Sequence, residues 1–398
     1  MSKLRVKIRN FGEDALGSIR AAKARFQKIL HSSEADIEVD PITTLARTLH
    51  QGILLASVED VISLGKNATK IVFPTAKPVY FSPGQYLTVT LLINESIVTR
   101  PYSIASSPSL GREGKVEIIV KEIEEGILSS YLVHKLAKGD PVCLEIGLGE
   151  FVYNRFRDAP HIIGVAGGVG ITPFLSMAKW LSEQENPPYD LTILYGSQDR
   201  RNILAKEELE ALEGEHVHVV HVLSNDPLYS GEKGFITQEI LQKYAPEGPV
   251  SYFLCGPRAM QDFVFGELEK MGVDLRRVRS ECPASLDKAK GNVQIYELIV
   301  HQAECIYHIN ARDDEPLIVA LERSGIYIRS CCRQGTCGAC RAQVLKGDYF
   351  VPEENDGRRH ADIEFGYVHA CHCFPRSDME IRVNASVLPR EQLIKEEE

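Results

Sequence analysis

Basic residues are in short supply in this sequence. Its 398 residues hold 45 Lys and Arg against 55 Asp and Glu, a formal net charge of −10 and a pI near 5.7. Nucleic-acid binding needs a basic stripe to displace counterions, and anionic membrane surfaces attract clusters of lysine and arginine, so neither class of partner is expected. The opening stretch MSKLRVKIRNFGEDALG has no apolar core of a secretory signal. The longest uncharged run, 159–178, has nearly the length of a membrane span, but it contains GGVGITP, which breaks a helix. No internal repeat and no low-complexity segment is visible. A soluble, cytoplasmic chain is expected, and its 44% apolar and 25% charged shares suit globular domains. At roughly 100–200 residues per domain, two to four domains fit.

Four patterns follow one another. Residues 1–50 are rich in helix formers; Leu16, Ile19, Ala22, Phe26 and Leu30 fall on one helical face, which predicts a packing or partner-contact extension. Residues 51–155 read as short strands with turns at SPG and GREG and one helix around SSYLVHKLAKGD, the pattern of an antiparallel barrel or sandwich. Residues 156–282 alternate strand and helix, the signature of a parallel doubly wound sheet. A polar linker at 283–292 leads to strands, a helix and a cysteine-rich loop over 293–385, and an acidic tail closes at 386–398.

The ten cysteines stand at 143, 255, 282, 305, 331, 332, 337, 340, 371 and 373. Without a signal peptide, metal ligation is the better reading than a disulfide framework. Cys332, Cys337, Cys340 and Cys371 have the C-x4-C-x2-C…C spacing of plant-type 2Fe-2S ligation. Cys331 would leave five intervening residues, so the spacing selects Cys332; it separates Cys371 from Cys373 less sharply. Gly335, Gly338 and Ala339 let backbone N–H groups approach the cluster sulfides. A structural zinc site usually needs paired C-x2-C knuckles, and only one such pair is present. CCRQGTCGACRAQV and ACHCFPRSDMEI resemble a plant-type ferredoxin domain over about residues 293–385, an α+β fold of the β-grasp type. In that family the last ligand precedes a proline by four residues, as Cys371 precedes Pro375.

VAGGVGITP follows a strand and opens a helix, so its glycines let phosphate oxygens reach backbone N–H groups at a positive helix end. It is not the Rossmann fingerprint, and no acidic residue closes the second strand to hold a ribose. FLCGP ends a later strand at the sheet edge where ligands bind. Together, GGVGITP, LYGS and CGP resemble the pyridine-nucleotide half of the ferredoxin–NADP reductase family. The resemblance implies that Gly167, Gly168, Gly170, Thr172 and Pro173 contact the dinucleotide and that Cys255 and Gly256 lie near the nicotinamide. Ser197, Arg200 and Arg201 suit a 2′-phosphate, whereas Asp199 repels one, so NADH and NADPH both stay open.

Arg100-Pro101-Tyr102-Ser103 offers a cation for a flavin phosphate, an aromatic wall and a donor to the ring, and alternation places Arg100 and Tyr102 on one face. It resembles the RxYS signature of the same family. Gly126, Ser129 and Ser130 look like that family's second phosphate-contacting segment, and Gly147-Leu-Gly149-Glu150-Phe151 like its turn between domains. RPYSIASSP resembles the FAD-using branch, so FAD is expected over FMN. The resemblance covers roughly residues 51–282 and implies catalytic roles for Ser103 and Cys255. Glu281 stands where the family often has an acidic residue near the flavin, but the aromatic that accompanies it is absent, for Cys282 and Pro283 follow.

These readings imply electron transfer from NAD(P)H through FAD and a 2Fe-2S cluster to a redox partner protein such as an oxygenase component. The competing reading is a flavin and iron–sulfur sensor that reports redox state to a partner through residues 1–50. A small-molecule acceptor ranks last, because no haem-ligand domain is visible.

Overall fold

The computed structural model describes residues 52–65, 67–124, 126–281 and 293–385, with Arg20, Ala22, Lys23 and Leu393. The amphipathic face expected near the N-terminus, the stretch 283–292 and most of the tail lie outside the described residues. Residues 51–398 form one compact unit.

Seven strands come first: β1 (Ile53–Ser57), β2 (Asp60–Ser63), β3 (Ala68–Pro74), β4 (Tyr86–Ile93), β5 (Ser96–Ser103), β6 (Lys115–Lys121) and β7 (Pro141–Leu148). The order β1-β7-β4-β5 makes one antiparallel sheet and β2-β3-β6 a second, bridged from Ile104 to Ile118. Their inner faces share a core that includes Ile71, Phe73, Leu87, Val89, Ile118 and Leu144. The helix Ile127–His134 drops Leu128 and Leu132 into that core. β4 and β5 are joined through Asn94 and Glu95, both at positive φ (47° and 64°), the conformation a tight two-residue hairpin demands. That turn fixes the register, so Tyr86 faces Ser103 across the ladder.

The next six strands are β8 (His161–Gly167), β9 (Asp190–Ser197), β10 (Val217–Leu223), β11 (Glu232–Lys233), β12 (Val250–Cys255) and β13 (Val278–Glu281). All pair in parallel, in the order β11-β10-β9-β8-β12-β13. β8 is buried along all but its first residue, as a strand covered by helices on both faces must be. The chain starts at β8 and runs outward on one side, then resumes at β12 on the other. The carboxyl ends of β8 and β12 therefore flank the crevice where ligands of such sheets bind.

Asp158 ties the end of the first region to β13. Its buried carboxylate accepts from Arg279 at 3.1 and 2.5 Å and from the Asn154 N–H at 2.7 Å. The Arg279 guanidinium also lies 5.3 Å over the Phe253 ring. Replacing Asp158 with alanine would strand a buried guanidinium, and we expect a loss of about 3–5 kcal/mol, read as a lower denaturant midpoint.

The last strands are β14 (Ile295–Gln302), β15 (Cys305–Arg312), β16 (Arg341–Lys346), β17 (Tyr349–Phe350), β18 (Tyr367–His369), β19 (Phe374–Pro375) and β20 (Met379–Val383). The main sheet runs β15-β14-β20-β16-β18, with β14 and β20 parallel and the other pairs antiparallel. The helix Leu317–Arg323 crosses it and buries Leu317, Ile318, Ala320 and Leu321 with Leu298, Val300 and Ile381. The chain thus has the three architectures the sequence leads one to expect: an antiparallel barrel, a parallel α/β sheet and a β-grasp unit. No helix among the described residues is long and apolar enough to cross a membrane.

Candidate functional site

The loop ahead of β16 carries Cys331, Cys332, Cys337 and Cys340, and Cys371 arrives from a tight turn after β18. Sulfur contacts pair Cys332 with Cys337 and Cys340 with Cys371, and a Cys332–Cys371 contact joins the pairs. The backbone N–H groups of Gln334 and Cys337 each donate to the Cys332 sulfur at 3.4 Å, and that of Ala339 to Cys337 at 3.5 Å. Gly335 (φ +85°) lies so close to His372 and the Asn355 carbonyl that a Cβ would stand 2.7–2.9 Å from them. Cys331 also contacts Cys337, and its sulfur lies 3.9 Å from the Glu145 carboxylate. Its contact with Cys337 does not separate it from Cys332; the loop spacing and the Cys332–Cys371 contact do. Cys373 sits in the β-grasp core, where burial pushes its thiol up to about 12.

At the parallel sheet, β8 ends at Gly167 and the chain turns through Gly168–Ile171 into the helix Thr172–Ser182, with Pro173 in its first turn. Gly168 has φ +55°. Gly170 lies directly against the end of β12: a Cβ there would stand 2.0 Å from the Cys255 carbonyl oxygen and 2.8 Å from Gly256 Cα. Thr172 donates to the Val169 carbonyl at 2.8 Å, and the Tyr195 hydroxyl braces the turn by donating to the Gly168 carbonyl at 2.9 Å. β9 closes at Ser197. Beyond it, Arg200 grips Asp226 with two nitrogens, at 2.7 and 3.2 Å, and Asp199 accepts from the Arg201 N–H at 2.8 Å.

At the end of β5, Arg100 donates through Nη1 to the Thr99 carbonyl at 2.7 Å and to the Glu322 carboxylate at 3.0 and 3.1 Å. Pro101 follows it, and burial raises the Tyr102 hydroxyl well above its usual range. Glu281 ends β13 level with Cys255 on β12. Burial lifts its carboxyl to about 7, and its Oε2 is buried without a hydrogen-bond partner. Gln261 donates to the carbonyls of Gly256 (2.9 Å) and Glu281 (2.8 Å), which holds the two strand ends together. Farther along the barrel, Gly126 caps the helix Ile127–His134. Ser129 accepts from the Ile123 N–H at 3.1 Å and Ser130 donates to Glu122 at 2.8 Å.

Sequence reasoning passed over Tyr86, Gln261 and Glu322. Tyr86 is buried, and its hydroxyl is raised first by burial and then by the charges of Cys332, Cys337, Cys331 and Glu281. One side chain is therefore within electrostatic reach of both the thiol group and the acid beside Cys255. The Asn94-Glu95 turn was the available signal, for it sets the register that puts Tyr86 opposite Ser103. Gln261 and Glu322 have no local signature.

Three family models match in chain order: an oxidoreductase FAD-binding domain over residues 56–153, an oxidoreductase NAD-binding domain over 165–265 and a 2Fe-2S iron-sulfur cluster binding domain over 306–376. The toluate 1,2-dioxygenase electron transfer component of Pseudomonas putida is 30% identical over 270 residues, covering 66% of this chain and 77% of that protein. The chain belongs to this family of flavin and iron–sulfur reductases. The glycine betaine monooxygenase reductase subunit of Chromohalobacter salexigens is 27% identical over 335 residues, 78% of this chain and 89% of that one. The solved phthalate dioxygenase reductase, at 20% identity, shares the fold over 84% of this chain and 98% of its own, with a TM-score of 0.61.

The reductase is an oxidoreductase that uses FAD, NAD(P)H and a 2Fe-2S cluster. Its residues fit these groups. The two thiol pairs offer two sulfurs to each of two irons, and the inward N–H groups suit an anionic cluster. Gly168, with open space where a Cβ would stand, leaves no side chain between a pyrophosphate and the helix end, and Gly170 lets that turn close onto the end of β12. The Glu281 carboxyl, level with Cys255 and with its Oε2 unpartnered, would offer a polar group to a cofactor ring bound at these strand ends.

Proposed function

We propose that this reductase serves a multicomponent oxygenase, taking hydride from NADH and delivering single electrons to a separate oxygenase protein. Its relatives' names support the partner, since they are electron-transfer components of a dioxygenase and a monooxygenase. The observation that carries the reading is the direct contact between the cysteine-bearing unit and the flavin-binding strands: the Cys331 sulfur lies 3.9 Å from the Glu145 carboxylate, and Glu322 accepts from Arg100 at 3.0 Å. When bound, FAD accepts two electrons together and releases them singly, and a 2Fe-2S cluster carries one at a time.

The chain's own residues supply the positioning. Cys332, Cys337, Cys340 and Cys371 hold the irons. Gly167, Gly168, Gly170, Thr172 and Pro173 hold the dinucleotide phosphates, and Cys255 and Gly256 set the nicotinamide. Pro101, Tyr102, Gly126, Ser129 and Ser130 hold the flavin, with Ser103 near its reacting edge, while the Arg100 guanidinium expected at a flavin phosphate is taken up by Glu322. Asp199 and Asp226 beside Arg200 and Arg201 set carboxylates in the region after Ser197, and their repulsion of a 2′-phosphate favours NADH. The work divides among residues 51–155, 156–282 and 293–385, in a cytoplasmic protein. Steady reduction of cytochrome c by NADH, several times faster than by NADPH, is the expected result. Reduction limited to a single turnover would instead favour the sensor reading.

Glu281 makes a pH prediction. Its carboxyl is raised from 4.5 to about 7 by burial, so the folded state keeps a proton that the unfolded chain releases. This contribution to stability is complete below pH 4.5 and is lost as pH rises through about 7. Glu281→Gln should stabilise the protein at pH 8 by up to roughly 3 kcal/mol and leave pH 4 unchanged. It should also remove an inflection near pH 7 from the rate of flavin reduction by NADH, followed by stopped-flow absorbance.

A further inference from the structure

Glu322 belongs to the β-grasp helix Leu317–Arg323, yet its carboxylate bonds across to the flavin-binding strand. It accepts from Arg100 and, at 3.4 Å, from the Thr99 N–H, and it pairs with Arg333. Arg333 follows Cys332 in the cluster loop, at φ +58°, a conformation that a non-glycine residue keeps only when its surroundings hold it there. The three side chains are 24% (Arg100), 10% (Glu322) and 5% (Arg333) exposed. One carboxylate therefore neutralises two largely buried cations, one on each side of the seam.

The other charge pairs that reach the β-grasp unit, from the barrel and from the parallel-sheet region, are weaker. Arg329, which pairs with Glu145, is 51% exposed, and Glu354, which meets Arg258 at 2.7 Å, is 74% exposed. Exposed pairs are screened and contribute little, whereas removing one member of a buried pair leaves an uncompensated charge. Specific docking thus rests mainly on Glu322.

We infer that Glu322 is a positioning residue that locks the cluster loop onto the flavin-binding strand, so that electrons cross between the two centres in the docked arrangement. This rests on the electron-transfer reading above. In the step concerned, the reduced flavin loses one electron and the oxidised iron pair gains it; Glu322 makes and breaks no covalent bond.

The test uses the full-length protein with both cofactors. Glu322→Gln keeps the shape and removes the charge. Hydrogen exchange in peptides spanning 96–103 and 329–341 should quicken about tenfold, as when an order of magnitude of docked population is lost. In stopped-flow, NADH should reduce the flavin at the wild-type rate, while cluster reduction slows about tenfold. Glu322→Asp, which keeps the charge on a shorter arm, should fall between. Unchanged exchange together with an unchanged cluster step overturns the inference. So does failure of both variants to assemble a cluster, which would make Glu322 part of the cluster loop's own folding. A wild-type protein whose flavin NADH does not reduce would instead fault the underlying electron-transfer reading.

Discussion

Serine in place of Cys332, Cys337, Cys340 or Cys371 should cut bound iron and acid-labile sulfide about tenfold or more, because a thiolate ligand is replaced by a poorly ionised hydroxyl. Cys331→Ser and Cys373→Ala should keep the cluster. The contrast is informative because Cys331 and Cys332 both contact Cys337. Only from Cys332, however, is there a direct contact with Cys371 that joins the two thiol pairs. Cys373 lies two residues from Cys371 but among the apolar side chains of the β-grasp core. Each cluster-free variant should lose cytochrome c reduction while still reducing ferricyanide with NADH, since hydride transfer takes place on the other side of the seam. Iron analysis and the electron paramagnetic resonance signal of the dithionite-reduced protein read the outcome. Full iron content in Cys371→Ser would transfer that ligand role elsewhere.

Gly170→Ala should slow flavin reduction by NADH about 100-fold, the scale expected when reacting atoms are misplaced by about 1 Å. The added Cβ would meet the Cys255 carbonyl at 2.0 Å and its carbon at 2.4 Å. These are backbone atoms, so the overlap is not relieved by turning a side chain. The turn Gly168–Ile171 and the end of β12 must move apart, and Cys255 and Glu281 move with them because they sit level on neighbouring strands. Dithionite, which needs no nucleotide site, should still reduce both centres of the variant fully. Stopped-flow traces with the two reductants separate a damaged nicotinamide site from a misfolded protein. Equal NADH rates in variant and wild type would mean that the close approach of the two turns is not used.

Much of this was legible before any coordinates. The cysteine spacing singled out Cys332, Cys337 and Cys340 because three ligands of one cluster come from a loop of fixed reach, and it separated Cys371 from Cys373 less sharply. The barrel and the parallel sheet followed from the change from two-residue to helical periodicity near residue 156, and the β-grasp unit from the ferredoxin resemblance carried by the cysteine motif. What stayed hidden depends on side chains meeting across long stretches of chain. The glycine at 170 was visible, but its reason, the Cys255 carbonyl, comes from a strand more than eighty positions later. Asp199 already counted against a phosphate beside Arg200 and Arg201, but the pairing of Arg200 with Asp226, from the loop after the next strand, had no local signal. Arg100 read as a flavin-phosphate cation, and nothing local announced that Glu322 would reach it from the β-grasp helix. Glu281 was a weak sequence signal because its aromatic companion is missing; burial and an unpartnered oxygen give it its chemical interest.

Anaerobic titration of the protein with NADH, monitored in the visible range, addresses the electron count directly. FAD takes two electrons and the cluster one, so bleaching of both chromophores should finish near 1.5 equivalents of NADH per chain. An end point at about one equivalent with the iron–sulfur absorbance intact, or no bleaching at all, would contradict the presence of two connected redox centres in this polypeptide.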